Sequence, residues 1–72
     1  MTDTEIKISN NIVLIEYKGH QGTVELDIDD NIIYGHLICP HVISGYDGKT
    51  LQEFTEAFKD AVNNAIEQGW FN

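Results

Sequence analysis

The chain has 72 residues, with 12 acidic and four basic side chains, a formal net charge of −8 and no arginine. That length sets the expectation of one domain, small enough to bury only about 60% of the surface of its unfolded chain. Without guanidinium groups the bidentate contacts to phosphate and guanine cannot be made, so direct nucleic-acid binding by this chain alone is not expected.

Met1 to Asn11 is polar and charged, with Ile6 and Ile8 its aliphatic residues after Met1. This segment reads as an N-terminal arm over 1–11, either mobile or a short extra strand. Ile12 to Tyr17 is rich in β-branched and aromatic residues that suit a half-buried pleated surface. Lys18 to Gly22 supplies two glycines for a turn. Thr23 to Ile28 alternates, with Val24, Leu26 and Ile28 pointing one way and Thr23, Glu25 and Asp27 the other. Asp29, Asp30 and Asn31 form a second turn, and the third strand runs from Ile32 to Cys39. A two-residue loop at Asp29 and Asp30 would pair Leu26 with Ile33; a loop at Asp30 and Asn31 would pair Ile28 with Ile33. Both registers give the same two faces. Val13, Ile15, Tyr17, Val24, Leu26, Ile28, Ile33, Gly35, Leu37 and Cys39 make an apolar face, expected to be the core. Ile12, Leu14, Glu16, Thr23, Glu25, Asp27, Ile32, Tyr34, His36 and Ile38 make a mixed face, expected to meet water or a partner.

Pro40 ends the third strand, because it cannot donate to a ladder. His41 to Gly48 reads as an extended connection or a short fourth strand near 42–46. Thr50 and Glu53 have capping-box spacing, and Leu51, Phe54, Ala57, Phe58, Ala61, Val62, Ala65 and Ile66 then recur at steps of three and four. Gly69 follows as a helix-ending glycine. The predicted fold is therefore α+β: a three-stranded antiparallel meander with one C-terminal helix packed on one face, forming a single domain over 12–72.

The lone Cys39 cannot form an intramolecular disulfide and fits a reducing compartment. Met1 to Asn11 has no apolar run of signal-peptide length, and no stretch approaches the roughly 18 apolar residues of a membrane span. A cytoplasmic protein with no membrane association is the expectation.

Taken in order, Tyr17-Lys18-Gly19, Gly22-Thr23-Val24-Glu25, Ile33-Tyr34-Gly35 and Asp47-Gly48-Lys49-Thr50-Leu51-Gln52-Glu53, leading into Ala57-Phe58-Lys59-Asp60-Ala61-Val62, resemble the HicB-like antitoxin domain. The resemblance spans Val13 to Ile66. It implies a partial ribonuclease H-like fold and a non-enzymatic protein that binds a small basic HicA-like toxin and blocks its cleavage of messenger RNA. Many members of that family carry a second, C-terminal DNA-binding segment. This sequence ends at Asn72 without one, so repression by this chain is not expected.

The −8 charge agrees with a basic protein partner. The candidate contacts are Glu16, Glu25, Asp27, Tyr34 and His36 on the mixed face, and Glu53, Glu56 and Asp60 on the helix. Ile12, Leu14, Ile32, Ile38, Trp70 and Phe71 are the candidate interface of a homodimer or higher homo-oligomer, since so small a monomer has little room to bury them all.

Bland readings win over the chemical ones. Cys39, His41, His36 and His20 lack the paired spacing of a zinc site. Asp27, Asp29 and Asn31 open like a calcium loop, but Ile32 and Ile38 stand where glycine and glutamate are required. Glu16, Glu25 and Asp27 resemble nuclease carboxylates, yet a flat sheet face offers no water-excluding pocket for two metal ions. His36 is expected beside Thr23 or Glu25. No cofactor, metal or catalytic residue is expected. Two other functions fit the same residues: an acidic phage or plasmid inhibitor of a nucleic-acid-processing defence complex, and an orphan homo-oligomeric scaffold subunit.

Overall fold

The computed structural model describes residues 4–39 and 43–70. Six antiparallel strand segments precede one helix: β1 (Thr4–Ser9), β2 (Ile12–Tyr17), β3 (His20–Thr23), β4 (Glu25–Asp27), β5 (Ile32–His36), β6 (Gly45–Gly48) and α1 (Leu51–Gln68). The expected α+β meander with a C-terminal helix is present, and it is wider than three strands. Of the two readings of the first eleven residues, the strand holds: β1 pairs along its whole length with β2, from Thr4 opposite Tyr17 to Ser9 opposite Ile12. Asn10 and Asn11 close this hairpin, both with positive φ (51° and 65°), as a two-residue primed turn requires. Lys18 and Gly19 do the same between β2 and β3 (54° and 79°), so the strand resumes at His20 rather than after Gly22. The fourth strand of the expected meander lies at 45–48 and pairs with β5; Pro40, His41 and Val42 fall outside the described residues.

Leu26 stands opposite Ile33, as the Asp29–Asp30 alternative required. The last pair of that hairpin is Asp27 with Ile32, so Ile28 belongs to the loop. The Asp27 carboxylate accepts the Asp30 N–H there, at 3.3 Å, making an Asx-type turn.

The stretch expected as one strand over Thr23 to Ile28 is broken at Val24 into β3 and β4. The first half pairs with β2 and the second with β5. The strands thus form two three-stranded sheets, β1-β2-β3 and β4-β5-β6, linked by a bridge between Gly22 and Leu37 and by the Ile38 N–H donated to the Gln21 carbonyl (3.0 Å). Tyr46 holds the break. It sits opposite Gly35, and its hydroxyl lies 2.9 Å from the Thr23 carbonyl oxygen and 3.1 Å from that of His36. The ring reaches this point because two residues lack side chains: a Cβ on Gly22 would overlap the Tyr46 hydroxyl, and one on Gly35 would overlap the Thr23 carbonyl. The His36 N–H, displaced from the regular ladder, donates to Thr23 Oγ1 at 3.0 Å.

The helix begins at Thr50, whose Oγ1 accepts the Glu53 N–H (3.1 Å), and ends at Gly69 with φ 73°. Gly69 and Trp70 donate to the Ile66 and Ala65 carbonyls in a Schellman arrangement, and Trp70 packs back on the core. Phe54, Phe58, Val62 and Ala65 bury against Ile15, Tyr17, Leu37 and Tyr46. The Tyr46 ring meets Phe54 and Phe58 edge-on, at centroid distances of 5.3 and 5.1 Å.

Four residues expected in the core are exposed. Leu51 and Ile66 lie at the borders of the helix stripe. Leu26 (69% exposed) lies on the inner side of the sheet and Ile28 (82%) in the hairpin loop, and the described residues leave both largely uncovered. One helix on the order of 10 Å wide cannot roof two three-stranded sheets side by side, a span of roughly 20 Å. It packs mainly on β6, and the end of the β4–β5 hairpin lies beyond it.

Phe58 is fully buried, so Phe58→Ala is expected to cost about 3–5 kcal/mol in chemical denaturation, enough to unfold most of a domain this small. Tyr46→Phe leaves two carbonyls short of a donor and is expected to cost about 1–3 kcal/mol. Burial raises the Tyr46 phenol above its ordinary value of 10.0, so the folded state keeps a proton that the unfolded state loses. Wild-type stability should therefore fall as pH rises above about 10, and the Tyr46→Phe chain should lose that part of the slope.

Candidate functional site

Strand register assembles the mixed face. Glu25 stands opposite Tyr34, and Tyr34 in turn opposite Asp47, so a carboxylate flanks the tyrosine on each side. Asp27 pairs with Ile32 and His36 with Gly45 on the same side of the sheet. The His36 ring approaches Thr23, with Nδ1 3.4 Å from Oγ1, rather than Glu25. Four of the candidate contacts, Glu25, Asp27, Tyr34 and His36, thus form one patch over β4 and β5. Asp47 joins it. The sequence placed Asp47 just past the short strand expected near 42–46; with Gly45–Gly48 as the strand, alternation from the buried Tyr46 turns Asp47 outward.

Glu16 is separate from this patch and already engaged. Its carboxylate accepts from Gln21 Nε2 and Lys7 Nζ, both at 3.1 Å. The Gln21 hydrogen bond, and then the ammonium of Lys7, hold it below the ordinary carboxylate value. The helix acids occupy the opposite layer. Glu53 is used in the cap, where its carboxylate accepts the Lys49 N–H at 3.4 Å. Glu56 and Asp60 are exposed on the helix and form a second surface distinct from the sheet patch.

Cations and anions are unevenly spread. Among the described residues both ion pairs belong to Lys7, with Glu16 at 3.1 Å and Glu5 at 4.0 Å. Lys18 donates to Asn63 and, with Lys59, lies over the Tyr17 ring at 5.2 and 5.5 Å. The hairpin end that bears Glu25, Asp27, Asp29 and Asp30 has Lys49 as its near cation, on a groove lined also by Leu26, Ile28 and Ile33. Carboxylate repulsion at that end is therefore weakly offset within the chain.

Of the candidate oligomer contacts, Ile12 and Ile38 are 55% and 53% exposed, and Leu14 and Ile32 are half-buried. Trp70 lies on the chain's own core, and Phe71 is outside the described residues. Cys39 packs beside the core, and burial raises its thiol. Among the described residues no group of three or more histidine, cysteine, aspartate or glutamate side chains converges on a metal position. No described helix is long and apolar enough to cross a membrane.

No protein-family model, curated protein or solved structure matches this chain.

A carboxylate whose folded value is depressed stabilises the fold above its ordinary value and loses that contribution as pH falls through the folded value. Glu16 should titrate below 4.5 in a carbon-detected NMR titration, and Gln21→Ala and Lys7→Met should each return its midpoint toward that value.

Proposed function

We propose that this chain is a non-enzymatic HicB-like binding domain that captures and neutralises a small basic protein, of the kind represented by HicA-like messenger-RNA-cleaving toxins. The observation that carries the reading is the patch on the helix-free side of the sheet. There Glu25 and Asp47 flank Tyr34, with Asp27 opposite Ile32 toward one end of the row and His36 at the other. A tyrosine ring provides rigid contact area, and the acids around it provide steering and register toward a cationic surface. The resemblance of the ordered motifs to the HicB-like domain supports the same partner chemistry, and so does the −8 charge. The helix supplies the other half of the logic: it buries the apolar side, so the acidic side is the one left for a partner.

Co-expression with a HicA-like protein encoded beside the gene tests this. Growth should be restored by the wild-type chain, and the paired change Glu25→Lys with Asp27→Lys should abolish the rescue at equal protein levels. Killing that persists with the wild-type chain present would refute the reading. The affinity of the purified pair should fall steeply between low and physiological salt.

A further inference from the structure

The sheet is forked at Val24, and the fork leaves one backbone edge open inside the molecule. Val24 donates its N–H to the Val13 carbonyl at 3.1 Å, so Val24 faces β2. Gln21 faces the other way, since its carbonyl accepts from Ile38 in the continuation of β5. Peptide groups of alternate residues point to alternate sides of a strand. Leu26 therefore presents its N–H and C=O toward the β2 side, while Glu25 and Asp27 present theirs to β5. At that level β2 has ended. The register that sets Leu14 opposite Thr23 brings the Asn10–Asn11 turn there, and among the described residues no backbone hydrogen bond joins that turn to β4.

Three further features mark the same place. A groove opens at the fork beyond the Val24–Val13 hydrogen bond, bordered by Asn11 and Ile12 on one side and by Thr23, Glu25 and His36 on the other. The Leu26 side chain, on the inner side, is 69% exposed, and Ile28 is 82% exposed. On the outer side Glu25 and Asp27 are the neighbours an added strand would meet. The outer edge of the sheet is less suited to the role: β1 carries Lys7 at its centre, which blunts an edge and repels a cation.

We infer that β4 is a docking edge for an extended peptide segment of alternating cationic and aliphatic residues. The segment would lie along β4, between it and the Asn10–Asn11 turn. It would exchange backbone hydrogen bonds with Leu26, cover Leu26 with its aliphatic side chains and set its cations against Glu25 and Asp27. Charge selects this occupant over a second copy of the chain, whose own β4 would bring Glu25 and Asp27 against their equivalents. The inference rests on the proposed capture of a basic partner and specifies how that partner is held.

The test uses a fluorescein-labelled heptapeptide of alternating lysine and valine. A heptapeptide of the same composition, with its lysines and valines in two blocks, serves as comparator, and binding is read by fluorescence anisotropy. The alternating peptide should bind the wild-type chain at least tenfold more tightly than the block peptide. Leu26→Lys should weaken it at least tenfold with an unchanged circular dichroism melt, because Leu26 is largely exposed. Glu67→Gln, which makes the same change in net charge far from the edge, should weaken it less than twofold. Equal losses in the two variants, or equal binding of the two peptides, would overturn the docking edge and reduce the effect to bulk charge. A wild-type dimer in sedimentation that Leu26→Lys dissolves would overturn it in favour of self-pairing. Failure of the alternating peptide to bind, with toxin rescue intact in both the wild type and Leu26→Lys, would overturn the edge and leave the proposed function standing. Failure of peptide binding and rescue together would remove both.

Discussion

The break in the sheet is organised around one hydroxyl. Tyr46 reaches across the sheet, beneath the helix, to the carbonyls of Thr23 and His36, at the point where a regular ladder would otherwise run through. A buried carbonyl without a donor is costly, so the break between β3 and β4 exists only with Tyr46 in place. The same ring is the surface on which Phe54 and Phe58 pack. Sheet distortion and helix docking are therefore a single event, with the two glycines as its precondition. Removing either partner would be felt by both layers.

That break also governs where chemistry is displayed. By turning β4 away from β2, it opens the fork and carries Glu25 and Asp27 to an end of the molecule remote from Lys18 and Lys59. The lysines spend their charge locally. Lys7 holds Glu16, and the two over Tyr17 stand where the helix C-terminal half meets the sheet. Net charge alone would predict a diffuse negative field; the placement of four lysines turns it into a directional one.

Much of this was legible in the sequence. Period-two alternation fixed the two faces, the capping spacing fixed the helix start, and Leu26–Ile33 was one of the two registers that hairpin geometry allowed. What was not legible has identifiable causes. The Asn10–Asn11 turn was missed because two asparagines at positive φ look, in one dimension, like any polar stretch. Leu26 and Ile28 were assigned to the core because alternation reports which side a residue faces, and says nothing of whether a helix reaches that far. Tyr46 was read as part of a connection or of a short strand near 42–46, and its bridging role was missed, since its partners are backbone atoms 23 and 10 residues away, a contact that leaves no periodic trace. Glu53 was offered as a binding acid and is occupied at its own cap.

The glycine crossing has a consequence for kinship. Surface acids can drift, and aliphatic core positions can exchange among themselves, without disturbing the architecture. Gly22 and Gly35 are more constrained, because a Cβ on Gly22 would overlap the Tyr46 hydroxyl and one on Gly35 the carbonyl of Thr23, to which that hydroxyl donates. Counted with Tyr46, their separations of 13 (35 minus 22) and 11 (46 minus 35) positions form a sparse fingerprint. Chains sharing little else with this one could be recognised as its descendants or cousins by those three letters and the intervals between them.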